Sequence, residues 1–146
     1  MKKLTWWFRI VGGFYLLLAL MNLYFVLFNP GGMSSMGTSP FPVTPDTTMA
    51  FVDGWSPFAF EMLGIATFML WASRSPARFL GAVWLIVWLE LLHGVVDDIY
   101  LITRGYDAGG YIAFIVIHLI IIATGVIFAR QAQAETAVSP QLAVGD

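Results

Sequence analysis

The chain has 146 residues, 59% of them hydrophobic and only 11% charged, with a mean hydropathy of +0.80. A soluble domain carries about a quarter charged residues, so composition excludes a water-soluble globule and points to an integral membrane protein. The absence of cysteine excludes disulfides, thiolate metal sites and thiol redox catalysis, and seven basic residues scattered over a chain of net charge −2 leave no surface for nucleic acid.

The first membrane span is predicted over residues 6–28. No charge occurs between Arg9 and Asp46. The apolar stretch from Ile10 to Phe28 exceeds the roughly 7–15 residues of a signal-peptide core and ends in Leu27-Phe28-Asn29-Pro30, so it is expected to be retained. Asn29-Pro30-Gly31-Gly32 stops the helix. Residues 29–55 form a long loop without basic residues. Within it, Thr44-Pro45-Asp46 followed by Met49, Phe51 and Val52 predicts a short helix lying at the interface. Met33 and Met36 are soft donors of the kind Cu(I) takes, but no histidine or cysteine accompanies them.

Ser56-Pro57 and Ser75-Pro76 each read as an N-cap followed by proline at the first helical position. They open spans at 57–73 and 76–102. Gly105 is the expected C-cap of the third span and Asp107 the N-cap of the fourth, at 110–129. Residues 131–146, which include Ser139-Pro140, read as a polar cytoplasmic tail, frayed or disordered.

Short connections make consecutive spans antiparallel. The expected fold is therefore all-α: one four-helix transmembrane domain over residues 1–130, running up-down-up-down. Lys2, Lys3, Arg9, Arg74, Arg78 and Arg130 would share one side, against Arg104 alone on the other. Both termini are then expected in the cytoplasm of an inner-membrane, multi-pass protein. Trp6, Trp7 and Trp71 would mark the inner interface; Trp55, Tyr100, Tyr106 and Tyr111 would mark the outer one.

Each expected span carries a strongly polar residue: Asn22, Glu61, Glu90 and His118. Each is 12 or 13 positions from the arginine at its cytoplasmic end, Arg9, Arg74, Arg78 or Arg130. That spacing predicts a common layer at a depth of about 18–20 Å. Ionisable groups at such depth cost about 2.5–3.5 kcal/mol each on insertion scales, which makes them the leading candidates for function. In the third helix Glu90, His93 and Asp97 are spaced i, i+3, i+7 and should share one α-helical face, with Trp84 and Trp88 on another. Asp98 is expected to face headgroups beside Asp97.

Glu-x-x-His aims a carboxylate and an imidazole at one point, as helical metal proteins do. Glu61, Glu90, His93 and His118 thus form a candidate set for a divalent metal, Zn²⁺, Mn²⁺ or Fe²⁺. A second Glu-x-x-His is missing from the fourth helix, where Phe114 and Ile115 precede His118. His93 and His118 differ in depth by about one turn and have acids nearby, which disfavours haem. Asn22 shares a face with Tyr15 and Leu18 and reads as an interhelical hydrogen bond. Gly12, Gly13 and Gly64 would let helices approach closely.

Three readings are open. The polar residues hold the helices together, with Glu90 bonded to His118 or Glu61 to His93. Or they form a metal or acid–base site acting on an apolar substrate in the membrane. Or they relay protons in a small transporter, alone or as an oligomer. The expected partners are the lipid bilayer and an apolar or aromatic small molecule.

Leu4-Thr5-Trp6-Trp7-Phe8-Arg9-Ile10-Val11-Gly12-Gly13 and the segment Glu90–Gly105 resemble the BphX-like group of small four-helix bacterial membrane proteins related to DoxX. The resemblance implies an association with aromatic-compound metabolism, as uptake or membrane support of a degradation pathway. It implies no mechanism and assigns no residue a role.

Overall fold

The computed structural model describes the backbone of residues 1–34 and 40–142 and the side chains of residues 1–32 and 40–135. All regular structure among them is helical. α1 covers Lys2–Phe28, α2 is the short Pro30–Ser34, and α3 covers Pro45–Ala72. One continuous rod follows: a 3₁₀ turn at Pro76–Phe79, α4 at Leu80–Leu89, a π-helical segment at Glu90–Val96, and α5 at Asp97–Thr103. α6 covers Ala108–Leu142. Met36 lies outside the described residues, as does the side chain of Met33.

Lys2–Phe28, Pro76–Thr103 and Ala108–Glu135 are each long and apolar enough to cross a membrane. α3 is equally long, but Ser56, Pro57 and Glu61 dilute the apolar half of its sequence. The outer surfaces of the rods are apolar, with Ile10, Leu17, Leu85, Trp88, Ile112 and Ile120 all exposed. Helices that are hydrophobic all round suit lipid rather than water.

α3 differs from the sequence expectation. It starts at Pro45, so the expected interfacial helix and second span are one helix. Thr44 and Thr47 begin it with a reciprocal capping box: the Thr47 N–H donates to Thr44 Oγ1 at 3.2 Å and the Thr44 N–H to Thr47 Oγ1 at 2.9 Å. Pro57 lies inside the helix rather than at its start. Proline has no N–H for the carbonyl four residues back. Here the Ser56 hydroxyl donates to that carbonyl, Asp53 O, at 3.0 Å.

The carboxyl end differs too. α6 continues past Arg130 to Leu142, so residues 131–142 are helical where a frayed tail was expected. Gln131-Ala132-Gln133-Ala134-Glu135 are all strong helix formers. Glu135 also pairs with the Met1 amino group at 2.7 Å. Between α5 and α6 the expected turn is present: Gly105 has φ +89°, and Asp107 accepts the N–H groups of Gly109 and Gly110 at 3.3 and 3.1 Å.

Contacts fix the register. Gly12 meets Met69 and Leu70 while Asn22 meets Trp55, so α1 and α3 are antiparallel. Trp7 Nε1 donates to Thr124 Oγ1 at 3.1 Å, and Gly125 lies against the Trp7 ring and Val87. α6 therefore runs antiparallel to both α1 and the rod containing α4. An apolar core including Leu4, Trp7, Phe8, Val11, Met69, Val83 and Ile86 fills the end that carries Met1. The polar side chains lie beyond it, toward the loops, where Phe41 meets Tyr106. Of the glycines expected at close approaches only Gly12 serves so; Gly13 and Gly64 face open space.

Candidate functional site

The π segment sets the geometry of this region. A π turn accommodates one more residue than an α turn, and single-turn π bulges recur at functional sites. Upstream, α4 buries Val83 and Ile86. Through the π segment and into α5, the buried positions are Glu90, Gly94 and Asp98. In an unbroken α-helix the inward face would carry Glu90, His93 and Asp97. The extra residue turns His93 and Asp97 outward, where both are exposed, and brings Asp98 inward. The expected exposure of Asp98 and the expected pairing of Glu90 with His93 on one face are thus corrected for one reason.

Glu90 is the centre of what is gathered. It is only 1% exposed, and both its oxygens are engaged. The Tyr15 hydroxyl of α1 donates to Oε1 at 2.7 Å. His118 Nδ1 of α6 lies 2.5 Å from Oε2 and donates to it when the carboxylate is ionised. Three chain segments meet at one carboxylate, which contacts to ionised groups make stronger than neutral ones. Gly94 makes this possible: a Cβ there would overlap the Cγ, Nδ1 and Cδ2 atoms of the His118 ring. The other ring nitrogen, Nε2, lies 3.9 Å from Asp98 Oδ2. Phe114 packs on the same ring with centroids 6.3 Å apart.

The remaining candidates lie elsewhere. Asn22 is buried and accepts the Trp55 indole N–H on Oδ1 at 2.8 Å while donating to Leu18 O at 2.8 Å, the interhelical role expected for it. It is seven residues from Tyr15, about 10 Å along α1, so it does not share the level of Glu90. Depth counted from arginines misleads because Trp7 is level with Thr124, which puts Arg130 farther out than Arg9. Glu61 is exposed on α3. His93 is exposed and packs edge-on against Phe58, with ring centroids 5.9 Å apart. Glu61, Glu90, His93 and His118 therefore do not surround one point. No group of three or more His, Cys, Asp or Glu among the described residues is arranged to hold a metal ion.

Tyr15 and Gly94 are the members of the site that the sequence reading did not single out. Gly94 carried a signal: a glycine inside an apolar helix usually has a packing reason. Tyr15 carried none beyond sharing the face of Asn22.

No curated protein and no solved structure matches the chain significantly. A family model does: the BphX-like family matches residues 1–134, which include α1, α3, the whole π-bearing rod and every residue of the buried cluster. The chain belongs to the BphX-like family.

Proposed function

We propose that this is a multi-pass inner-membrane protein, with four spans and both termini in the cytoplasm, whose Tyr15–Glu90–His118 chain holds an exchangeable proton inside the membrane. The observation that carries the reading is the fully buried carboxylate of Glu90 clasped between a phenol and an imidazole. Both partners can give up or accept a proton, and ionisable groups facing a bundle interior commonly mark proton paths. The apolar core between this cluster and the Met1 end supports a site served from one side rather than a through-channel. α3 serves as the fourth span despite Glu61, because it lies along α1 over its whole apolar half.

A purely structural role is the second reading, and the seat of His118 on Gly94 favours it. The surface recesses beside Met1–Leu4 and beneath Pro30 and Val43 are not lined by Glu90 or His118. The association with aromatic-compound metabolism belongs to this proposal as context and assigns no residue a role.

Infrared difference spectroscopy of the protein in lipid tests the reading. A protonated-carboxyl component should grow as pH falls and be missing from the same spectra of Glu90→Gln. If no carboxyl component of the wild-type spectrum is lost in Glu90→Gln over the pH range in which both remain folded, Glu90 only packs the helices.

A further inference from the structure

The clasp on Glu90 uses one ring nitrogen of His118. We propose that Asp98 serves the other, and that it is the port through which the buried site exchanges protons with the loop-bearing end. This inference rests on the proton-holding reading of Glu90.

Three observations lead to it. Asp98 is 7% exposed, and its Oδ2 has no hydrogen-bond partner among the described residues. Buried polar atoms in native proteins are nearly always paired, so an orphaned carboxylate oxygen needs a reason. That oxygen lies 3.9 Å from His118 Nε2, about 1 Å beyond a hydrogen bond, so a small side-chain movement makes or breaks the link. Finally, the π segment is what brings Asp98 inward, while the adjacent Asp97 stays exposed.

The groups around Asp98 define a direction. On α6, Tyr111 is two turns from His118 toward the loops, where Asp107 caps the helix. Its ring meets Tyr106 at a centroid distance of 6.2 Å. On the same rod, Glu90 is the only acid on the far side of the His118 ring, and His93 turns away to Phe58. From α1, Tyr15 closes the inner side of Glu90. Asp97, Tyr111 and Asp107 thus lie on the loop side of Asp98, and the apolar core lies the other way.

The transfer balances. A proton arriving on Asp98 Oδ2 passes to His118 Nε2, and the Nδ1 proton passes to Glu90 Oε2. Asp98 ends as carboxylate, Glu90 as carboxylic acid, and the imidazole as its other tautomer.

The test is the rate at which the Glu90 carboxyl band follows a rapid pH jump, in protein reconstituted in phosphatidylcholine vesicles. Asp98→Asn should slow the response by about tenfold or more while leaving its final amplitude intact, and Asp97→Asn should leave the rate within about twofold. Asp98→Glu should restore most of the rate and guards against a folding defect in the amide variant. A wild-type rate in Asp98→Asn, with the band still lost in Glu90→Gln, overturns the port and leaves the proton-holding site standing. An equal slowing in Asp97→Asn also overturns it. Absence of any titrating component that Glu90→Gln removes overturns both.

Discussion

The His118 ring lies against Gly94 in space that any side chain would occupy, and Glu90, four residues earlier, receives the ring's Nδ1. Seat and partner are therefore offered by one turn of one helix. Gly94→Ala should displace the ring, break the clasp and destabilise the protein by the roughly 1–3 kcal/mol typical of overpacking. Thermal unfolding in detergent measures the loss. An unchanged melting temperature with the carboxyl band intact would mean that the ring has room to move aside.

α1 and α3 approach at Gly12, where a Cβ would lie 3.0 Å from Met69 Cβ and 3.2 Å from Leu70 Cγ. A Cβ at Gly13 would meet nothing within 4 Å beyond its own helix backbone. Gly12→Val should lower stability markedly by forcing these helices apart. Gly13→Ala should be neutral or slightly stabilising, because alanine is the better helix former by about 1 kcal/mol in water. Equal melting temperatures for the two variants would contradict the packing.

The Trp55–Asn22 hydrogen bond joins the same two helices nearer the loops. Trp55→Phe keeps an aromatic ring and removes the donor. Hydrogen bonds between membrane helices average about 0.6 kcal/mol, so a small loss is expected. A double-mutant cycle with Asn22→Ala should return a coupling of about that size, and zero coupling would argue against the bond.

The π segment holds one residue more than an α turn. Deleting Leu92, which is exposed, should restore an ordinary turn and leave α5 in nearly its present orientation. Deleting Leu85, equally exposed but within α4, should rotate everything after it by about 100° and abolish folding. Size-exclusion behaviour and circular dichroism of the two deletions decide this. The reverse result would mean that the π turn is not an insertion.

The proposed orientation follows from six basic residues at the Met1 end against Arg104 at the other. The chain has no cysteine, so single cysteines report without background. Thr103→Cys should react with an impermeant maleimide in intact cells, and Ser75→Cys only after permeabilisation. The opposite pattern inverts the topology.

Much of this architecture was legible in the chain. Four spans were expected; three of the helices are long and apolar enough to cross a membrane, and Gly105 and Asp107 mark the turn between the last two. The pairing of Glu90 with His118 was one of two pairs offered for a packing role, beside Glu61 with His93. What misled was local. Pro57 after Ser56 looks like a helix start, but the helix begins at Pro45 under the Thr44 cap, and the Ser56 hydroxyl serves the carbonyl that Pro57 leaves free. An assumed α period put His93 and Asp97 beside Glu90, because no residue in Glu-Leu-Leu-His-Gly-Val-Val announces a π turn. Trp55 read as an interface marker because its ring gave no hint that its N–H bonds Asn22. Pairings of this kind depend on the axial register of two helices, which neither helix carries alone.

The Ser56 hydroxyl keeps α3 unbroken through Pro57, and 28 residues make a rod about 42 Å long. That exceeds the roughly 30 Å hydrocarbon thickness. The turns of α3 before Trp55 lie on the loop side of the Asn22–Trp55 bond, and they account for the surplus length.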